Sequence, residues 1–367
     1  MSARFEPIAA RCAPPRAAGP LRWIRAELFG SWPNGVATLA LIGLFAWWLP
    51  PLVDWAVLRA VFAPSLDACQ AARGSGACWG AVAEKYRLVI FGRYPFDEQW
   101  RPFVATTALL GLLAASCSRA LWSRWLALAW PAVLAGFFVL MRGGVFGLTR
   151  VPTDRWGGLP LTIILSTLSI ALAFPLAVLV ALGRRGSLPA LRALCTVYVE
   201  LVRGVPLVSV LFMASFMVPL FMPPGLTIDV MVRVLAGITL FAAAYLAEVV
   251  RGGLQAIPKG QVEAAACLGL GYWRTQGRIV LPQALALVLP GIMNSFIATF
   301  KDTSLVTIVS LYELTGSLGL AFNSDAAWRP YKIEGYLFIA LIYFTFCYSM
   351  SRFSLRVERR LARSRAH

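Results

Sequence analysis

The chain has 367 residues, is 59% hydrophobic and only 14% charged, and carries a formal net charge of +17. Soluble globular domains are about one-quarter charged, so composition excludes an ordinary soluble domain and points to an all-α polytopic membrane protein. The basic excess does not indicate nucleic acid. It lies in tails and short loops beside apolar runs, where the positive-inside rule and anionic lipid place it, and there is no basic, aromatic-interleaved soluble domain.

The first 30 residues are rich in Arg, Pro and Ala, and the apolar run from Val36 starts too deep for a cleavable signal. Apolar runs and their punctuation predict eight spans, at 36–56, 103–117, 125–141, 158–182, 195–221, 230–250, 286–309 and 335–352. The second and third are short. An even number puts both termini on one side. With the termini cytoplasmic, inside segments hold about 20 basic residues, including Arg4, Arg11 and Arg16 and six arginines from Arg352 to Arg365. Outside loops then hold about 11.

Residues 1–157 form an extension of three spans. Its outside loop carries Cys69 and Cys78, which in an oxidising compartment would close a short disulfide ring; the alternative is two free thiols in a mobile loop. The other cysteines, Cys12, Cys117, Cys195, Cys267 and Cys347, read as small packing residues. A Gly-rich stretch from Arg142 to Gly158 leads into the second part. Its Trp156 suits a membrane interface. Residues 158–352 carry the remaining five spans, and 353–367 are a basic cytosolic tail.

Between the sixth and seventh spans lies a polar island, 251–282, containing Glu263-Ala-Ala-Ala-Cys-Leu-Gly269 and Ile279-Val-Leu281-Pro282. The alanine-rich piece is a good helix former. Gly269 and Gly271 are expected to end it in a sharp turn. Tyr272 to Val280 predicts a second short helix, after which Pro282 restarts the chain towards the membrane. Glu263 offers a carboxylate to a basic partner residue.

Charged groups within spans are costly and so mark function. Glu200 and Arg203 are three apart and predict a local ion pair, as do Glu248 and Arg251; helix-end stabilisation and gating are both open roles. Lys301-Asp302-Thr303-Ser304 interrupts the seventh span after Asn294, Ser295 and Thr299. Such an interruption suits a substrate site, with a Lys and an Asp for the two charges of a zwitterion. Mutual neutralisation of Lys301 and Asp302, locking a helix break, is the alternative. Met213, Ser215 and Met217 on the fifth span are further path-lining candidates.

Two absences narrow the chemistry. The only histidine is His367, which removes His-based metal sites and catalytic triads. None of the four lysines follows a glycine, so no Walker A loop is present. Any ATP and Mg must be bound elsewhere, and the chain holds no metal or cofactor of its own.

The island resembles, at every fixed position, the EAA loop through which ABC-importer membrane subunits dock their ATPase. Glu200-Leu-Val-Arg203-Gly204-Val-Pro206, Tyr245-Leu-Ala-Glu248-Val-Val-Arg251-Gly252-Gly253 and Phe300-Lys301-Asp302-Thr303-Ser304-Leu305 extend the match over 158–352. Together they resemble the membrane subunits of bacterial polar amino-acid ABC importers. The extra spans, and Val151-Pro-Thr-Asp154-Arg-Trp-Gly157-Gly158, are similar to the larger, M-type subunit of general L-amino-acid importers. The resemblance implies a type I importer core of five spans in the bacterial inner (cytoplasmic) membrane. It implies a smaller homologous permease subunit, two ATPase subunits and a periplasmic amino-acid-binding protein as partners. It also implies coupling through Glu263, Ala264, Ala265, Gly269, Leu281 and Pro282. Uptake of another small polar solute, or an ion-coupled carrier acting alone, are the rival functions; the latter would not need the docking loop.

Overall fold

A computed structural model describes residues 19–365. Arg4, Arg11, Arg16, Cys12 and His367 lie outside the described residues. The chain divides into two compact units, the first ending at Gly80 and the second beginning at Ala81.

The first unit is dominated by α1 (Trp32–Val53), 22 almost wholly apolar residues of which none is buried. A helix apolar on every side and left exposed by the described residues of its own unit is built for a hydrocarbon surrounding. It runs into a π-turn at Asp54–Leu58. Beyond it Cys69 and Cys78, both fully buried, are joined as a disulfide with Cα atoms 5.4 Å apart. Trp79 closes this knot by donating its indole N–H to the Ala56 carbonyl at 2.8 Å.

The second unit holds α2 (Trp79–Phe91, starting at the boundary), α3 (Trp100–Ser116), α4 (Arg124–Arg142) and α5 (Gly158–Arg185). Next come α6 (Pro189–Gly204), α7 (Leu207–Phe221) and α8 (Val230–Gln255). The chain ends with α9 (Lys259–Cys267), α10 (Tyr272–Leu287), α11 (Leu289–Asp302), α12 (Leu314–Asn323) and α13 (Lys332–Arg365). The central packing is α5 against α8. Ala173, Ala177, Ala243 and Ala247, all fully buried or nearly so, let these backbones approach. The α3–α4 hairpin packs on α5, burying Leu109, Phe137 and Met141 with Leu161, Ile164 and Leu165.

Among the described residues, five helices are long and apolar enough to cross a membrane, and seven crossings result if two bent pairs each count once. The expected second span is α3, whose 17 residues reach about 26 Å, short of a ~30 Å hydrocarbon core. The expected fifth span, 195–221, is not one rod. α6 and α7 meet at 107°, where Pro206 lacks an N–H and drives Val205 into an extended conformation. The expected seventh span is likewise bent, by 69°, at Val288 between α10 and α11, with Pro290 just beyond. The last span extends beyond 352 as one helix to Arg365.

Trp156 does not face outward. It is 2% exposed, packs against Phe138 and donates to the Val151 carbonyl at 3.4 Å. Its large apolar body is worth more inside the joint between α4 and α5 than at a surface. That joint also requires glycine: Gly158 has φ +62°, and a Cβ there would stand 2.0 Å from the Ile90 carbonyl oxygen.

Candidate coupling loop and translocation path

The loop between α8 and α10 is built from local rules. α9 ends in a Schellman turn: the Gly269 N–H reaches the Ala266 carbonyl at 2.9 Å and the Leu270 N–H reaches that of Ala265 at 3.1 Å. Gly269 sits at φ +70°, the left-handed conformation this cap needs. Gly271 does not share that task. Its φ is −68°, and it stands at the N-cap of α10. Pro282 does not restart the chain either, because α10 runs through it. A π-turn at Gln276–Val280 precedes Pro282 and widens the helix where the missing N–H would break the ladder.

Within this frame Ala265 is buried, while Glu263, Ala264, Gly269 and Pro282 are exposed and Leu281 is half-buried. Glu263 lies in the middle of α9 rather than at its end. The same loop carries three side chains whose exposure composition does not foretell: Leu268 (79%), Trp273 (71%) and Tyr272 (52%). Exposed apolar side chains clustered on a polar loop mark a contact surface. A Tyr-Trp pair inside a polar island was the signal available.

Behind the loop, the ends of α5, α6 and α8 are tied by charge. Arg184 contacts Glu248 at 2.7 Å and Glu200 at 3.0 Å. Arg203 is 4.0 Å from Glu248 and lies over the Tyr245 ring, and Arg251 pairs with Glu248 through both carboxylate oxygens. The expected Glu248–Arg251 pair is therefore present. The expected Glu200–Arg203 pair is replaced: Glu200 turns to Arg184, which is only 11% exposed and serves two acids. A guanidinium with five donors suits such a bridge.

The polar segment of the seventh span divides into two groups. Ser295, Thr299 and Thr303 return their hydroxyls to carbonyls of their own helix, at Gly291, Ser295 and Phe300, which satisfies them inside the protein. Asn294, Ala298 and Lys301 form an exposed stripe at spacings of four and three. Lys301 has no ion pair among the described residues. Lys301 and Asp302 make no direct ion pair among the described residues, though their charges still attract one another; Asp302 is half-buried and Ser304 likewise. The α-helix ends there as expected, and the chain tightens into a 3₁₀ turn, Thr303–Val309, ending at Ser310 with φ +65°. Leu207–Phe212 packs against that turn. Further along α7, Met213 and Met217 are about half exposed on a π-turn, whereas Ser215 is buried.

One buried acid escaped the sequence reading. Glu313 is fully buried at the start of α12, accepting from the N–H groups of Thr315 and Gly316, from Thr307 at 3.1 Å and from Tyr343 at 2.8 Å. Burial raises its carboxyl above the usual range, and these donors oppose the shift. It holds the 3₁₀ turn, α12 and α13 together. Near it a cleft of about 770 Å³ is bordered by Arg93, Asp154, Asp229 and Tyr312.

A polytopic helical chain with two bent spans and a polar interhelical loop bearing exposed apolar side chains has the form of a transporter's membrane subunit. The family model described as "Binding-protein-dependent transport system inner membrane component" matches residues 173–363. The inner membrane amino-acid ABC transporter permease protein YhdY of Escherichia coli (strain K12) is 48% identical over 92% of each chain. The glutamate/glutamine/aspartate/asparagine transport system permease protein BztC of Rhodobacter capsulatus is 36% identical over 98% of each. Among solved structures, one described as an amino acid ABC transporter with histidines is 27% identical, at TM-score 0.48 over 55% of this chain and 92% of that one. The chain belongs to the binding-protein-dependent transport system inner membrane component family. It is a multi-pass, non-catalytic permease of the inner membrane, and that membership implies ATPase and binding-protein partners.

Proposed function

We propose that this chain, a permease subunit of an amino-acid ABC importer, passes acidic and amide amino acids along the Asn294–Lys301 stripe. The carrying observation is Lys301: an exposed ammonium inside a span, with no ion pair among the described residues. An unpaired charge at that depth belongs in a water-filled path, where it would meet a substrate carboxylate, and Asn294 two turns earlier offers both a donor and an acceptor. The cargo named for the BztC protein fits this chemistry. A smaller homologous permease would supply the opposite wall, as the exposed face of α6 and α7 suits (Leu194, Leu201, Phe216).

Energy enters at the 251–282 loop. Glu263, Ala264, Leu268, Tyr272 and Trp273 form the surface for an ATPase, and the rigid α10 carries its motion to the bend at Val288. If α3 crosses with α4, eight crossings put both termini and this loop on the cytoplasmic side, with the Arg93–Tyr312 cleft outside facing the binding protein. The test is ATP-dependent uptake of labelled glutamate, glutamine and other amino acids into proteoliposomes. They would hold this chain, its homologous subunit, the ATPase and the binding protein, each omitted in turn. Uptake of acidic and amide substrates that needs every component supports the reading. Equal uptake of cationic or aliphatic amino acids in their place would contradict it.

A further inference from the structure

On a different face of α11 from Lys301 lies a crevice apart from the Asn294–Lys301 stripe. Leu289, Met293 and Phe296 sit about 80–140° round the helix from Lys301, at 3.6 residues per turn. They line a cavity of about 440 Å³ with Ile170, Phe174 and Leu285, and every residue bordering it is apolar. It abuts a second cavity of about 140 Å³, with Leu289, Met293 and Val357 common to both. The second carries two charged groups in an otherwise mostly apolar lining: Arg119 from the α3–α4 turn and Arg360 from α13, beside Trp122. Both arginines are exposed and neither has an ion pair among the described residues. The nearby Ser354 hydroxyl is committed to Glu358 at 2.8 Å.

We propose that this crevice binds one anionic glycerophospholipid of the leaflet that faces the coupling loop, an acyl chain in the larger cavity and the phosphate between Arg119 and Arg360. Each half of the ligand is matched by what borders it. A purely apolar cavity does not hold water, so hydrocarbon is its natural filling. Two unpaired arginines at its mouth attract the anionic headgroup and suit phosphate oxygens. The mouth is on the correct side: α4 and α5 are successive spans and so cross in opposite directions, which places Arg119 at the same membrane face as Arg185 and the 251–282 loop. A homologous subunit's helix would fill the apolar part and leave two guanidinium groups unanswered.

The position has a consequence for the importer, which rests on the function proposed above. Leu285 and Leu289 flank the 69° bend at Val288, so a chain wedged there holds the angle between coupling loop and substrate stripe. Anionic lipid would then set how readily the bend changes.

The test reads binding without transport. The assembled importer is reconstituted with phosphatidylglycerol carrying a photoactivatable acyl chain, irradiated and digested. Label is expected on peptides covering 285–296 and 353–361. The Arg119→Ala, Arg360→Ala double variant, which changes only exposed side chains, should lose labelling by about tenfold, whereas a photoactivatable phosphatidylcholine should label both proteins weakly and equally. A Met293→Trp variant, which fills the crevice, should lose label with its arginines intact. Unchanged labelling in the double variant, displacement by millimolar inorganic phosphate alone, or crosslinking of a cysteine placed at 357 to the homologous subunit would each overturn the proposal.

Discussion

Arg184 and Glu248 meet at 2.7 Å, and through Arg184 the same contact reaches Glu200, so one guanidinium joins the ends of α5, α6 and α8 behind the 251–282 loop. A force arriving at the loop therefore meets three helices acting as one body. Replacing Arg184 by Ala leaves Glu248 with Arg203 and Arg251 but cuts α5 out. The expected cost is about 1–3 kcal/mol, read as a fall of several degrees in the melting temperature of the detergent-solubilised protein. Arg184→Lys should recover part of it, because one ammonium cannot bridge two acids in fixed geometry. An unchanged melting temperature in Arg184→Ala would remove the hub from the account.

A second clamp holds the extension. Arg101, 1% exposed, donates to the carbonyls of Leu140 and Thr149 at 2.7 and 3.0 Å and pairs with Glu98. The Thr149 hydroxyl, and after it Arg101, hold the Glu98 carboxyl below its usual range, against some desolvation. A carboxylate depressed in the folded state contributes stability above its unfolded pKa, and loses it as pH falls through the lower folded value. Thermal stability should thus decline below about pH 4, and less steeply in Glu98→Gln. Identical pH profiles for the two proteins would show that this contact carries no linkage.

How much of this was open to a reader of the sequence depends on the range of the interaction. The Gly269 turn was readable because a Schellman cap is decided within six residues. Composition and apolar run length were enough for the helical membrane class. The bends were signalled by Pro206 and Pro290 but hidden by the uniform apolarity around them, which makes a bent pair look like a single long span. Glu200 found Arg184, 16 positions away, instead of Arg203, because α5 and α6 fold side by side; nothing local to Glu200 records that. Trp156 and Glu313 are likewise placed by packing, and a tryptophan or glutamate in a loop is read by default as surface.

The substrate stripe makes its own prediction. Lys301→Gln keeps length and hydrogen bonding but removes the charge. Uptake of glutamate should fall at least about tenfold, the order expected for one lost charge-assisted contact, while uptake of glutamine falls less. Ser295→Ala, whose hydroxyl is already spent on the Gly291 carbonyl, should transport normally. Equal loss for both substrates in Lys301→Gln, or loss in Ser295→Ala, would place the path elsewhere.

Exposed apolar groups on the loop can be tested by assembly. Trp273→Ala and Leu268→Asp remove exposed surface that no described part of the chain covers, so insertion and melting temperature should hold. Recovery of the ATPase with the affinity-tagged permease should drop several-fold, as for interface anchors. Full recovery with both variants would exclude this patch from the interface.

The most direct measurement of the central claim, that the 251–282 loop transmits ATP-driven motion to the membrane path, uses Glu263→Lys and Gly269→Pro in the reconstituted importer. The first reverses an exposed charge on α9, and the second forbids the φ of +70° on which the turn depends. Uptake and ATP hydrolysis would be followed together, with membrane insertion checked in the same preparations. The account predicts correctly inserted protein in which uptake is lost and hydrolysis no longer responds to the loaded binding protein. Normal, binding-protein-stimulated uptake by both variants would contradict it.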